Sequence, residues 1–216
     1  MNTLFLLAMG YEISHIFNLV DWNVSQEKPF PVYTHKTLPF TIVQTGVGKV
    51  NAAAATQFAL SHYPTERIVN LGAVGCMNKK IAIGEVRQIS ECTFFDVDCT
   101  AFNYKLGQIP KCDIASYPLH TTGDIPVAKL VTGDSFISDQ SKLQAISDIF
   151  SPDFIDMELA AIAHTLYIND KLSLLESFKA PSDYANASSS QDFYDNEKLA
   201  FSHLQALAAL LLTEKK

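Results

Sequence analysis

The sequence has no CxxC pair, no HxxH, HxxxH or HExxH spacing, no run of basic residues and no apolar stretch of membrane-spanning length. Each absence removes a class of protein. The four cysteines, Cys76, Cys92, Cys99 and Cys112, have neither paired spacing nor a secretory context, so they read as reduced thiols that pack as small hydrophobes. The six scattered histidines give a metal site no support, and none is expected. With 16 Lys and Arg against 23 Asp and Glu the net charge is −7, and the only adjacent basic pairs are Lys79-Lys80 and Lys215-Lys216. A polyanion such as nucleic acid would meet net repulsion. The apolar run Leu4 to Met9 lacks a basic start and is too short for a span or a signal segment. A cytoplasmic protein with no membrane partner is the expectation.

What is present is a globular composition. Apolar residues make up 48% and charged residues 18% of 216 positions, which suits one domain over residues 1–216 with a single large core. Short apolar runs alternate with segments of helical period, the pattern of strands joined by crossover helices. The fold class is therefore α/β: a three-layer sandwich with a mixed, mainly parallel twisted sheet between helices.

Strands are predicted at Leu4 to Met9, Phe30 to His35 (an edge strand, because of Pro31), Phe40 to Gln44 and Arg67 to Leu71, the last ending in Gly72-Ala73-Val74-Gly75. Further strands are predicted at Glu85 to Phe95, Ala128 to Thr132 and Ser173 to Phe178. Helices are predicted where Ile13, Ile16, Phe17 and Val20 recur, over Val50 to Leu60, over Gln140 to Phe150, through Ile155, Leu159, Ile162 and Leu166, and through Phe201, Leu204, Ala208 and Leu211. Ala185 to Gln191 reads as a small polar loop and a candidate lid.

In open α/β sheets chemistry collects where strands end and helices begin. Glu12, Gly46, Gly72, Asp134, Glu158 and Asp183 fall at or near such junctions. Thr45-Gly46-Val47-Gly48-Lys49 is too short for a Walker loop and lacks the third glycine of a dinucleotide turn, so it reads as a tight strand-to-helix turn. Taken singly, each carboxylate also has a bland reading: Glu12 as a helix-start charge, Glu158 as a solvated helix residue, Asp183 as a turn residue.

Taken in order they form a larger pattern. Ala8-Met9-Gly10-Tyr11-Glu12, Thr45-Gly46-Val47-Gly48-Lys49-Val50-Asn51-Ala52-Ala53 and Asn70-Leu71-Gly72-Ala73-Val74-Gly75 are followed by Asp98-Cys99-Thr100-Ala101-Phe102-Asn103-Tyr104 and Gly107-Gln108-Ile109-Pro110. Then come Gly133-Asp134-Ser135-Phe136-Ile137, Asp156-Met157-Glu158-Leu159-Ala160-Ala161-Ile162-Ala163 and Ser182-Asp183. This collinear set resembles the nucleoside phosphorylase superfamily, and within it the 5'-methylthioadenosine/S-adenosylhomocysteine nucleosidases. The resemblance implies hydrolysis of a purine nucleoside by water, with adenine leaving, no cofactor, and a homodimer.

By the same resemblance Glu12 is the general base on water, and Asp183 the acid at purine N7. The second role needs a protonated Asp183 with a raised pKa, whereas Glu12 must be ionised. Glu158 would accept the ribose hydroxyls, Met157 pack below the ribose, Phe136 stack on the purine, and the Ile137 backbone read its edge. Val47, Phe102 and Pro110 would line the 5'-alkylthio pocket, the last two from across a dimer interface. Ala73, Ser182 and Lys179 complete the substrate-binding set.

The chain departs from the family pattern at Gly10-Tyr11, where acidic residues are usual, at Ala73 for a small hydroxyl residue and at Lys179 for arginine. Asn186 replaces an aspartate and Leu159 a small residue. These bear on rate and preference. The rivals are phosphorolysis, which the carboxylate of Glu12 would oppose by repelling phosphate, a futalosine-type hydrolase, and a non-catalytic nucleoside-binding protein.

Overall fold

The computed structural model describes residues 1–186 and 189–213. Its centre is β1 (Thr3–Leu7), buried at every position, with β4 (Phe40–Gln44) and β5 (Arg67–Cys76) parallel to it on either side. A strand covered on both faces reads as a continuous apolar run, which is why TLFLL does not alternate. Its side chains still point alternately. Leu4 and Leu6 join one core with Ala52, Ala55 and Ala59 of α2 (Lys49–His62) and with Leu159, Ile162 and Leu166 of α4 (Leu159–Ile168). Phe5 and Leu7 join the other, with Ile13 and Ile16 of α1 (Gly10–Ile16) and Phe201, Leu204 and Ala208 of α5 (Ser189–Thr213).

The sheet is mixed. β10 (Leu175–Asp183) pairs parallel with β5 and antiparallel with β6 (Arg87–Phe94). Beyond β6, β8 (Val127–Thr132) and β9 (Phe154–Asp156) run parallel, and β9 returns antiparallel onto the end of β5, so these five strands form a closed circuit. β7 (Ser116–Pro118) adds to β6. On the other side β4 carries an antiparallel pair, β3 (Val32–His35) and then β2 (Trp22–Gln26). The helix α3 (Gln140–Phe150) matches its predicted span and starts on Asp139, whose carboxylate accepts the N–H groups of Ser141 and Lys142.

Several expectations are corrected. β3 is not the edge, because β2 pairs outside it; β2 has too few large apolar residues to stand out, since only Trp22 in it is buried. Val20 is 73% exposed: α1 stops at Ile16 and Phe17 turns extended as its C-cap. Gly72-Ala73-Val74-Gly75 does not end β5 but lies within it, paired with Lys179 to Asp183 of β10. Ile155 belongs to β9, not to α4. Asp183 ends a strand that runs five residues past Phe178. The loop expected at 185–191 lies partly outside the described residues, and its last residues from Ser189 open α5. Among the described residues no helix is long and apolar enough to cross a membrane.

At the end of the sheet away from the strand tips that hold the candidate carboxylates, Arg67 grips Glu176 in a buried two-point ion pair, Nε to Oε1 at 2.9 Å and Nη2 to Oε2 at 2.7 Å. This couples the first residues of β5 and β10. Removing one partner strands the other charge in the interior, at a typical cost of about 3–5 kcal/mol. Glu176→Ala is therefore expected to lower the free energy of urea unfolding by roughly that amount, with the ligand pocket at the opposite strand ends left intact. A change below about 1 kcal/mol would mean that the pair is fully solvated in solution.

Candidate active site

One cavity of about 410 Å³ opens where β1, β5, β9 and β10 end. Its size suits a nucleoside-sized ligand. Its charged lining consists of Glu12, Asp156, Glu158, Lys179 and Asp183. Of the residues singled out from sequence, Glu12, Val47, Ala73, Phe136, Ile137, Met157, Glu158, Lys179 and Asp183 all line it.

Glu12 is placed by the first turn of α1, and only 2% of it is exposed. Its Oε2 accepts the Met9 N–H at 3.0 Å and its Oε1 faces the Ala73 N–H at 3.4 Å. Burial pushes its carboxyl pKa up, while the ammonium of Lys179 and these backbone N–H groups pull it back. The shared space is made by Gly72. A Cβ there would lie 3.3 Å from Glu12 Oε1 and 3.4 Å from Lys179 Nζ, so the bare backbone lets both reach the same point.

Glu158 sits at the N-cap of α4, and its Oε1 accepts the N–H of Gly48 at 2.9 Å. Gly48, at φ +93°, opens α2, and its neighbour Lys49 donates its N–H to Asp134 Oδ1 at 2.7 Å. The Lys49 ammonium in turn holds both oxygens of Asp96 at 2.7 Å. The glycine turn read from sequence is thus a clamp joining the ends of β4, β6 and β8. Burial first, and then the charge of Asp156, push the Glu158 pKa up to about 7, with Lys179 and the Gly48 N–H opposing.

Asp183 is 2% exposed. Its Oδ1 accepts the Ala185 N–H at 2.8 Å and its Oδ2 the Ser182 hydroxyl at 3.0 Å. Ser182 itself is fully buried and does not line the cavity; it acts on Asp183 from behind. Phe102 and Pro110 also lie outside the lining, and Phe102 is 77% exposed. Sequence reasoning missed Asp156, Phe193 and Tyr194. Asp156 stood in the segment that carried the resemblance but was given no role, because its partner Lys179 lies 23 residues away on another strand; the aromatic pair followed a polar loop.

A family model described as Phosphorylase superfamily matches residues 3–213. The chain belongs to the phosphorylase superfamily. Within it, a 5'-methylthioadenosine/S-adenosylhomocysteine nucleosidase of Bacillus cereus (strain G9842) is 36% identical over 140 residues, 58% of this chain and 61% of that protein. The match thus spans about three fifths of this relative's length. The S-adenosylhomocysteine nucleosidase of Streptococcus pyogenes, solved with 5-methylthiotubericidin, superposes with a TM-score of 0.80 at 26% identity, covering 96% of this chain and 97% of that one. The futalosine hydrolase of Helicobacter pylori strain 26695 shares the fold, with a TM-score of 0.85 at 17% identity over 96% of each chain. Superfamily membership accounts for the layout of the sheet.

The raised pKa of Glu158 has a consequence for stability. A carboxyl whose folded pKa lies above its unfolded value of about 4.5 contributes fully below that value, and the contribution is lost as pH rises through about 7. Glu158→Gln, which keeps an acceptor for Gly48, is expected to raise Tm at pH 8 by several degrees and to leave it nearly unchanged at pH 4.5. Equal Tm values for variant and wild type at both pH values would contradict the burial of this charge.

Proposed function

We propose that the chain is an N-glycosyl hydrolase that splits 5'-methylthioadenosine and S-adenosylhomocysteine, releasing adenine, in methionine salvage and nucleoside catabolism. The observation that carries this reading is that three candidate carboxylates, Glu12, Glu158 and Asp183, face one nucleoside-sized cavity. The departing base needs an acid, water needs a base, and the sugar between them gathers positive charge that a third carboxylate stabilises.

In this reading Glu12 takes a proton from the attacking water as its oxygen bonds to the anomeric carbon. The C–N bond electrons pass into the purine, and Asp183, oriented by Ser182, donates a proton to N7. Glu158 accepts the ribose hydroxyls, and Met157 packs below the sugar. Phe136 stacks on the base and the Ile137 backbone reads its edge. Val47 meets the 5'-alkylthio group, with Phe102 and Pro110 supplied by a second copy in a homodimer; the exposure of Phe102 is consistent with that. Such an enzyme would work in the cytoplasm.

Hydrolysis is favoured over phosphorolysis by the way Glu12 is held. The N–H groups of Met9 at this turn and of Ala73 in β5, which could have received an anion, already face its carboxylate. Phosphate placed there would meet a buried negative group instead of free donors. A futalosine-type hydrolase is the second reading, favoured by the shared fold.

Purified protein in phosphate-free buffer is expected to release adenine from methylthioadenosine, with no gain on adding phosphate. Glu12→Gln and Asp183→Asn should each lower kcat by about 10²–10⁴-fold, with the fold retained by circular dichroism. Release only with phosphate would make it a phosphorylase, release only from futalosine would favour the second reading, and nucleoside binding without release would leave a binding protein.

A further inference from the structure

Lys179 is a buried cation, 3% exposed, and its ion pair is with Asp156: Nζ to Oδ2, 3.2 Å. Asp156 was not among the residues that sequence singled out. Its other oxygen, Oδ1, accepts the Thr132 hydroxyl at 2.6 Å, and both oxygens face the Leu159 N–H at the start of α4. Thr132 is itself fixed by the Ala160 N–H at 3.0 Å. The carboxylate is therefore clamped by β8 and by the first turn of α4 before it meets the ammonium. Lys179 reaches it from β10 and passes over Gly72 of β5, where its Nζ and Glu12 Oε1 approach a common point.

The ammonium pairs with Asp156 of β9 and shares the space over Gly72 with Glu12 of α1. Its charge also acts on Glu158 at the N-cap of α4 and on the thiol of Cys92 in β6. Glu12 is in turn beside the phenol of Tyr11. A single ammonium beside two buried carboxylates, Glu12 and Asp156, and the half-buried Glu158 would be drawn onto whichever offered the best geometry. Paired tightly with Glu12, it would make that group a weaker base and block its approach to water. Asp156 is held by the Thr132 hydroxyl and the Leu159 N–H, and its Oδ2 is the carboxylate oxygen that pairs with the ammonium.

We propose that Asp156 is a positioning residue, which anchors the ammonium of Lys179 over Gly72 so that it acts on both Glu12 and Glu158 without being paired off with either. The proposal rests on the assignment of Glu12 as the base. A lysine suits this role, because a compact point charge can serve two carboxylates at once. Neither residue forms a bond to substrate in this role.

The test compares Asp156→Asn and Lys179→Met with wild type by two readouts. In substrate-free protein labelled with 13C at the glutamate carboxyls, the titrations of Glu12 and Glu158 are followed, assigned by Glu12→Gln and Glu158→Gln. In parallel, the acid limb of kcat/KM for adenine release is measured. Lys179→Met removes the positive charge and should move the Glu12 and Glu158 titrations, and the limb, to higher pH by about one unit or more. Asp156→Asn removes a negative charge yet keeps acceptors for Thr132 and Leu159. It should move them to lower pH and lower the kcat plateau about tenfold or more, as the released ammonium settles on Glu12. Opposite shifts support the pair as a positioning device. Unmoved titrations with only a fall in Tm would reduce Asp156 to a helix cap and overturn the proposal. If wild type releases no adenine, the functional reading fails, while the carboxyl titrations still decide whether the pair acts on its neighbours.

Discussion

A single buried ammonium among carboxylates is the constraint around which the cavity is built. Lys179 pairs with Asp156 at 3.2 Å, and Glu12 and Glu158 stand within the reach of its field. Buried charges of one sign are tolerated only when they are hydrogen-bonded and opposed. Much of the local architecture serves that need. Gly72 omits a side chain so that the lysine and Glu12 can share a space, the turns after β1 and β4 turn backbone N–H groups toward Glu12 and Glu158, and Thr132 fixes Asp156. The cluster is nonetheless left strained electrostatically, since burial raises the pKa of both glutamates. That strain is characteristic of sites selected for chemistry at the expense of stability.

The sheet separates this strained end from a secure one. The strands β5 and β10 begin at the Arg67–Glu176 pair, bring Gly72 and Lys179 side by side midway, and carry Asp183 at the far end of β10. Between the two ends run side chains that feed both cores, among them Ile68, Leu71, Leu175 and Phe178. Lys179 and Asp183 are thus carried on a strand buried at every position, with Glu12 and Glu158 brought to it by the first turn of α1 and the N-cap of α4. Preorganisation of this kind fixes dipoles before the ligand arrives, so that little reorganisation is needed as charge develops. The glycine turn at 46–48 adds a second anchor, because Lys49, Asp96 and Asp134 tie the start of α2 to the strand ends beyond it.

Much of this was legible in the residues. The buried strands β1 and β4, the alanine-rich α2, the amphipathic α3 and the apolar stripe of α5 each carry a period or composition that only one element satisfies. The three carboxylates could be placed at strand ends because ligand sites collect there. Other parts could not be read because their signals are set by tertiary contacts. β2 buries little, so its pairing on β3 leaves no apolar pattern. β9 is three residues long, and Ile155 happens to continue the spacing of α4. Gly72 to Gly75 looks like a turn, yet the glycines lie in an extended strand because side chains from neighbouring elements need the room. Asp156 belongs with these: its meeting with Lys179 is made by the closure of the sheet and leaves no pattern in the sequence.

The central claim is that this cavity adds water, activated by Glu12, to the anomeric carbon of a purine nucleoside. It is tested most directly by a single turnover of methylthioadenosine in H₂¹⁸O containing phosphate, with the sugar product analysed by mass spectrometry. The account predicts a free methylthioribose carrying one heavy oxygen, formed in step with adenine. A sugar phosphate without solvent-derived heavy oxygen, or an unchanged nucleoside, would contradict it.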